Sequence, residues 1–248
     1  MAKSTVVSLD ARREAAAQAL VTPCDRCEAR AHSACAALAP GQQARVNAIM
    51  TRVAVEADRP IFAEAEPADH VFTIASGAVK LYKLLLDGRR QVTGFLFPGD
   101  FLGLTHNEAY AYSAEAMAPT TVCRFPRLRF EALLAEIPAL EHRLLGMAAH
   151  ELAAAQEQML LLGRKSARER IVSFLLMLSD AARKRGRAAD PVALPMNRAD
   201  IADYLGLTHE TISRVLTRLK TDGLIRLLDD RRIALLRADE LRRIAGAV

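Results

Sequence analysis

From Arg52 to about Arg129 the apolar residues come in short runs separated by turn residues. Val53 and Val55 alternate with polar neighbours; Val71, Phe72 and Ile74 lead into Ser76-Gly77, and Val79 and Leu81 follow. Asp87-Gly88 divides Leu84–Leu86 from Val92–Phe97, and Pro98-Gly99-Asp100 makes a further turn. Short strands at spacings of roughly 8 to 12 residues, joined by glycine-bearing turns, predict a small antiparallel sandwich or barrel.

After Pro138 the period changes. Leu145, Leu152 and Met159 lie seven residues apart, and Ala148, Ala155 and Leu162 form a second series interleaved with the first. Together they predict one apolar seam along a helix of about 25 residues, nearly 40 Å long at roughly 1.5 Å per residue. A seam of that length either packs on the chain's own β-domain or meets a second helix, and the reading adopted is a homodimer interface. Arg183-Lys184-Arg185-Gly186-Arg187 breaks the pattern and reads as a solvated loop.

A second helical unit begins at Asn197, an N-cap with Asp200 three residues on and Ile201, Tyr204 and Leu205 at helical spacing. Gly206 ends that helix and Thr208 caps the next, in which Ile212, Val215, Leu216 and Leu219 make one buried stripe. Glu210, Ser213, Arg214 and Thr217 share the opposite face at i, i+3, i+4 and i+7. Two short helices joined at a glycine, the second with a hydrogen-bonding outer face, predict a helix-turn-helix that reads double-stranded DNA. Arginine offers two parallel donors to guanine and a carboxylate accepts from cytosine. Glu210 and Arg214 could equally form an intrahelical ion pair. Leu224–Leu228, Asp229-Asp230 and Ile233–Leu236 suggest a hairpin wing with Arg231 and Arg232 near its turn.

Charge sharpens that reading. Residues 164–248 carry 18 Lys+Arg against 11 Asp+Glu, and residues 1–163 carry 16 against 18, within a total net charge of +5. A basic C-terminal third on a nearly neutral body suits a polyanion partner. Half the residues are hydrophobic and a quarter charged, which excludes a disordered chain. No run of 18 apolar residues and no secretory signal are present, so no membrane partner and a cytoplasmic location are expected. There is no phosphate loop, no H-E-x-x-H and no G-x-S-x-G, so no catalytic residues and no enzyme activity are expected.

Four cysteines remain to be explained. Cys24 and Cys27 stand in C-x2-C spacing, Cys35 follows after seven more residues, and Cys123 lies at the end of the β-domain. In a reducing compartment the three leader cysteines read as metal ligands, while Cys123 reads either as a small buried apolar residue or as the fourth ligand they need. Four thiolates can close a tetrahedral zinc site or bind an iron–sulfur cluster, and spacing alone leaves both open.

In this order of parts the chain resembles the Crp/Fnr family, and within it the FNR-type oxygen-responsive regulators. The resemblance runs from about Cys24 to the C-terminus. It rests on Asp87-Gly88-Arg89-Arg90-Gln91-Val92-Thr93-Gly94-Phe95 with Pro98-Gly99-Asp100, on Met159-Leu160-Leu161-Leu162, and on Leu205-Gly206-Leu207-Thr208-His209-Glu210-Thr211-Ile212-Ser213-Arg214. It implies an α+β architecture: a cysteine-bearing leader (1–40), an antiparallel β-roll sensor domain (41–137), a dimerisation helix (138–163) and a winged helix-turn-helix (164–248). It further implies that Glu210, Ser213 and Arg214 read TTGAT-type half-sites, flanked by Thr208, His209, Thr211 and Thr217 on the DNA-facing surface. Cys24, Cys27, Cys35 and Cys123 would then hold a [4Fe-4S] cluster that is stable without oxygen and degraded by it. The intact cluster would favour a homodimer that binds a palindromic operator and recruits RNA polymerase. The C-x2-C-x7-C spacing is longer between its second and third cysteines than the C-x2-C-x5-C of other FNR proteins.

Cyclic-nucleotide receptors of the same family place Gly-Glu and Arg-Ser in the β-roll. Here Gly103 is followed by Leu104, and Ser113 is preceded by Tyr112, so no cyclic nucleotide is expected. The readings left open are a redox-indifferent transcription factor with a structural zinc site and an iron–sulfur enzyme.

Overall fold

The structure, a computed structural model, describes Cys24, residues 26–229 and residues 231–246. Most of the leader expected at 1–40 lies outside the described residues, as does Asp230 in the wing turn.

Eight strands make two four-stranded antiparallel sheets that face each other. One runs in the order β1 (Thr51–Val55), β8 (Thr120–Pro126), β3 (His70–Ser76) and β6 (Phe101–Leu102). The other runs β2 (Pro60–Phe62), β7 (Ser113–Ala116), β4 (Val79–Leu84) and β5 (Arg90–Leu96). Because side chains alternate across a strand, Phe72 and Ile74 of β3, Val79 and Leu81 of β4 and Val122 of β8 meet inside. The alternate positions point outward, and each outer face is partly covered by other elements. This is the predicted sandwich.

On the outer face of β1-β8-β3 pack helices α1 (Pro40–Ile49), α2 (Arg127–Glu136) and the start of α3 (Pro138–Arg164). Their core joins Val46, Phe101, Phe125, Phe130, Leu140 and Leu144. Helix α1 straddles the boundary expected at residue 40, and Pro138 sits in the first turn of α3, where its missing N–H costs nothing. The 27 residues of α3 carry the predicted seam.

The C-terminal part comprises α4 (Ala167–Lys184), β9 (Val192–Ala193), α5 (Arg198–Leu205), α6 (His209–Thr221), the hairpin β10 (Ile225–Asp229) and β11 (Arg232–Leu235), and α7 (Ala238–Ala245). Its three strands form one antiparallel sheet in the order β10-β11-β9. Its core includes Val92, Ala78 and Met117 of the β-domain beside Phe174, Leu205 and Ile212, so the two parts share apolar contacts. Phe95 of β5 packs at 4.9 Å from Tyr204 of α5 and 5.9 Å from Phe174 of α4.

The arginine-rich run at 183–187 is solvated as expected at four positions, but the loop begins only at Arg185, which is itself held. Arg183 and Lys184 end α4, and Arg185 turns back onto the β-domain. It grips Asp100 with two bonds of 2.8 and 2.7 Å, donates to the Pro98 carbonyl, and lies 5.2 Å over the Phe97 ring. A composition rule cannot see a carboxylate 85 residues away.

Candidate nucleic-acid interface and cysteine site

Asn197 caps α5 as predicted: its side chain accepts from the Asp200 N–H at 2.8 Å. Gly206 closes that helix at φ 60°, a left-handed conformation that glycine adopts without strain. Thr208 caps α6 by accepting from the Thr211 N–H at 3.2 Å, and its hydroxyl also lies 3.0 Å from that of Thr211. Arg170 ties the ends together, donating to the Leu162, Lys165 and Leu205 carbonyls at 2.7 to 2.9 Å. A guanidinium there satisfies acceptors left over at two helix C-termini.

With Ile212, Leu216 and Leu219 buried, α6 turns Thr208, His209, Glu210, Ser213, Arg214 and Thr217 to solvent, with Thr211 half-buried. Among the described residues neither Glu210 nor Arg214 enters an ion pair or a side-chain hydrogen bond, so the intrahelical pair does not form and both heads are available. Thr217 bonds back to the Ser213 carbonyl at 2.9 Å. In the wing, Arg231 is exposed, whereas Arg232 pairs with Asp229 at 2.7 Å.

The cysteines come together across the chain. Cys24, Cys27 and Cys35 belong to the segment wrapped over the β1-β8-β3 face, and Cys123 projects outward from β8 opposite Thr73 of β3. All four line one small chamber, walled further by Gln43 and Asn47 of α1. Cys24 is buried and donates through Sγ to Asn47 Oδ1 at 2.9 Å. Burial pushes the Cys123 thiol up to about 12; Cys24 adds to this and Arg52 opposes it. Burial likewise raises Cys35, against a hydrogen bond from Ser33. Among the described residues no three His, Cys, Asp or Glu side chains close around a single ion.

The same segment is fastened to α3. Arg143 donates to the His32 carbonyl at 3.3 Å and to that of Ser33 at 3.5 Å, and Cys35 packs against the core that holds Leu140 and Leu144. Farther along α3 the seam is uncovered: Leu145, Leu152 and Met159 are 67%, 62% and 65% exposed, and Ala148 and Ala155 are exposed with them. Leu162 differs, being half-buried against the C-terminal core.

In the β-roll Tyr112, not an arginine, precedes Ser113, and the Gly103 N–H donates to the Tyr112 hydroxyl at 3.2 Å. Sequence reasoning did not single out Arg143, Asn47 or Gln43. Isolated polar residues on helices carry no pattern, and only the packing of α1 and α3 around the cysteine segment gives them partners.

Residues 52–137 match the cyclic nucleotide-binding domain family and residues 169–244 the Crp-like helix-turn-helix domain family. The transcriptional activatory protein AadR of Rhodopseudomonas palustris is 40% identical over 204 residues, 82% of this chain and 85% of its own. The nitrogen fixation regulation protein FixK of Bradyrhizobium diazoefficiens is 38% identical, covering 83% and 86%, and the transcriptional activator protein FnrL of Cereibacter sphaeroides is 37% identical, covering 85% and 86%. The solved structure of FixK2 from Bradyrhizobium japonicum aligns with a TM-score of 0.75 at 40% identity, covering 81% of this chain and 99% of that one. No helix among the described residues is long and apolar enough to cross a membrane. With both halves of the architecture matched and relatives aligned over most of their length, the chain belongs to the Crp/Fnr family of transcriptional regulators.

Proposed function

We propose that this regulator is a cytoplasmic oxygen sensor in which Cys24, Cys27, Cys35 and Cys123 hold a [4Fe-4S] cluster. The observation that carries the reading is the convergence of all four thiols, three from one segment and one from a distant strand, on one chamber. A set of four soft sulfur donors suits iron–sulfur ligation. When bound, such a cluster supplies a centre that persists without oxygen and is degraded by it.

The chain's own residues provide the coupling. Thiols joined at one centre tie the segment 24–35 to β8, and Arg143 and the Leu140–Leu144 core carry its position to the first turns of α3. Beyond them the exposed face of Leu145, Ala148, Leu152, Ala155 and Met159 is the surface for a second copy. Two copies joined along α3 would present two α6 helices to a palindromic, TTGAT-type operator; half-sites about 34–36 Å apart are engaged together only by a dimer. Glu210, Ser213 and Arg214 contact base edges, and Arg231 contacts phosphate. Bound at its operator, the dimer would recruit RNA polymerase. Tyr112 stands where an arginine would neutralise a cyclic phosphate, and Leu104 where the family's glutamate would stand, so the β-roll does not respond to a cyclic nucleotide.

The test is purification under strict anoxia with assays for iron, sulfide and zinc, followed by absorbance and operator binding during air exposure. The reading expects about four irons and four sulfides per chain, a visible absorbance that fades in air, and operator affinity that falls with it. Zinc in their place, with operator binding indifferent to air, would overturn it in favour of a structural metal site.

A further inference from the structure

Gln43 and Asn47, one turn apart on α1, both line the cysteine chamber. Asn47 Oδ1 accepts two hydrogen bonds, from Cys24 Sγ at 2.9 Å and from Gln43 Nε2 at 3.0 Å. The other end of the Gln43 amide is left over: the residue is 5% exposed, yet its Oε1 has no hydrogen-bond partner among the described residues. A buried acceptor with no donor is costly, and such groups call for an explanation.

That spare amide end leaves the pair free to reverse its hydrogen bond, and the bonding direction at Cys24 gives a reason to do so. Asn47 presents an oxygen to a sulfur that carries a hydrogen. A cysteine that ligates metal has no S–H, and an amide oxygen at that distance would then repel an anionic sulfur. Turning the Asn47 amide by half a revolution exchanges its oxygen and NH2 with almost no change of shape. Its two N–H groups would then point one at Cys24 sulfur and one at Gln43. If the Gln43 amide turns as well, its orphaned Oε1 takes the second of these, and its NH2 replaces the oxygen at the buried position. The anionic sulfur then faces a donor, and the Gln43–Asn47 hydrogen bond is kept with its direction reversed.

We infer that Asn47 and Gln43 form a reversible amide pair that donates hydrogen bonds to the metal-ligating form of Cys24 and thereby sets the stability and redox poise of the centre. The inference rests on the cluster reading above. Groups that hydrogen-bond to metal ligands typically change affinity or activity by about 10–100-fold when removed, and bonds to the sulfurs help to set cluster potentials.

The test compares full-length wild type with Asn47→Leu, Gln43→Leu and Asn47→Asp, all reconstituted with iron and sulfide without oxygen. The first two variants should lose visible absorbance in air about tenfold faster than wild type, with the reduction midpoint shifted downward. Asn47→Asp, which presents only acceptors, should shift further than Asn47→Leu. A residue that merely supports the fold would lower cluster occupancy without moving the potential of the clusters that remain. Should the variants not fold, wild type reconstituted in D2O still decides: its Fe–S stretching bands shift if exchangeable N–H groups bond to sulfur, and unmoved bands overturn the inference. Coloured wild type with variants equal to it in decay and potential defeats the amide pair alone. Colourless, iron-free wild type defeats both the amide pair and the cluster reading.

Discussion

Lys80 and Asp200, 120 residues apart in the chain, meet at 2.9 Å with both side chains almost wholly buried. Lys80 projects from β4 of the β-domain and Asp200 from the first turn of α5. Glu115 adds a second carboxylate to Lys80 at 2.9 Å, while Arg90 reaches both Asp200 and Asp203 at 2.8 Å. Asp200 is therefore at once an N-terminal helix residue in a capping box and the anchor of a charged network between the two parts. Charges buried this deeply are tolerable only when paired.

Removing one partner should be severe. Lys80→Ala is expected to cost about 3–5 kcal/mol in denaturant unfolding, since it leaves Glu115 without its cation and the buried Asp200 with Arg90 alone. Burial alone would lower the Lys80 pKa, but hydrogen bonds and charge from Glu115 and Asp200 outweigh it and hold the group above its ordinary 10.5. A raised lysine stabilises fully below its unfolded value and loses that contribution as pH rises through the folded one. The wild-type advantage over Lys80→Ala should thus be constant from pH 7 to 9 and shrink above about pH 10.5. An advantage unchanged in strong alkali would show that packing, not charge, supplies it.

Arg214 and Arg231 should separate base reading from phosphate contact. Arg214→Ala is expected to cost about 1–3 kcal/mol on the specific operator and to relax discrimination at one guanine. Arg231→Ala should weaken all sequences alike and reduce the slope of log affinity against log salt by about 1. Titrations on matched and mutated operators at several salt concentrations check both. Loss of discrimination in the Arg231 variant would reverse the assignment.

The uncovered face of α3 makes a simple prediction about assembly. Leu152→Glu places a charge in the middle of the seam, where two copies would bury it, while in a single chain the side chain stays in water. Sedimentation of the cluster-loaded protein should show monomers in place of dimers, with thermal stability of the single chain little changed. A dimer that persists would move the interface elsewhere.

Arg143 tests the coupling. Arg143→Ala removes the bonds from α3 to the carbonyls of His32 and Ser33 without touching a thiol. Iron content should stay near the wild-type value, while the dependence of dimerisation on the presence of iron becomes weaker. If iron content falls with coupling intact, Arg143 serves the cysteine segment itself.

Cys123→Ser tests the fourth ligand. Cys123 sits on the outer face of β8, partly buried against the helical core, so apo-protein stability should fall by only about 1 kcal/mol. Iron and sulfide incorporation should be lost. A variant that assembles a full cluster would remove Cys123 from the ligand set.

Much of this was legible before any coordinates. The strand runs from Arg52, the helix after Pro138, and the Asn197 and Thr208 caps around Gly206 all carry local signals, because capping, glycine conformation and periodic burial act over a few residues. The paired arginines were less so: the run at 183–187 reads as a charged loop, yet Arg185 belongs to Asp100, and Arg232 spends its charge on Asp229 while Arg231 stays exposed. Partner choice among surface charges depends on which strand ends face which helix ends.

Sequence by itself therefore determined the kinds of element, their order, the outer face of α6 and the spacing of three cysteines, all consequences of periodicity and short-range chemistry. Tertiary structure alone decided that Cys123 stands in the same chamber as those three, that Arg143 links them to α3, that Gln43 and Asn47 face Cys24, and that Lys80 is locked to Asp200. Each of these joins residues tens of positions apart or more, or depends on how one helix packs over a distant segment. Such meetings are fixed by how sheets and helices stack to bury apolar surface, which no local pattern along the chain encodes.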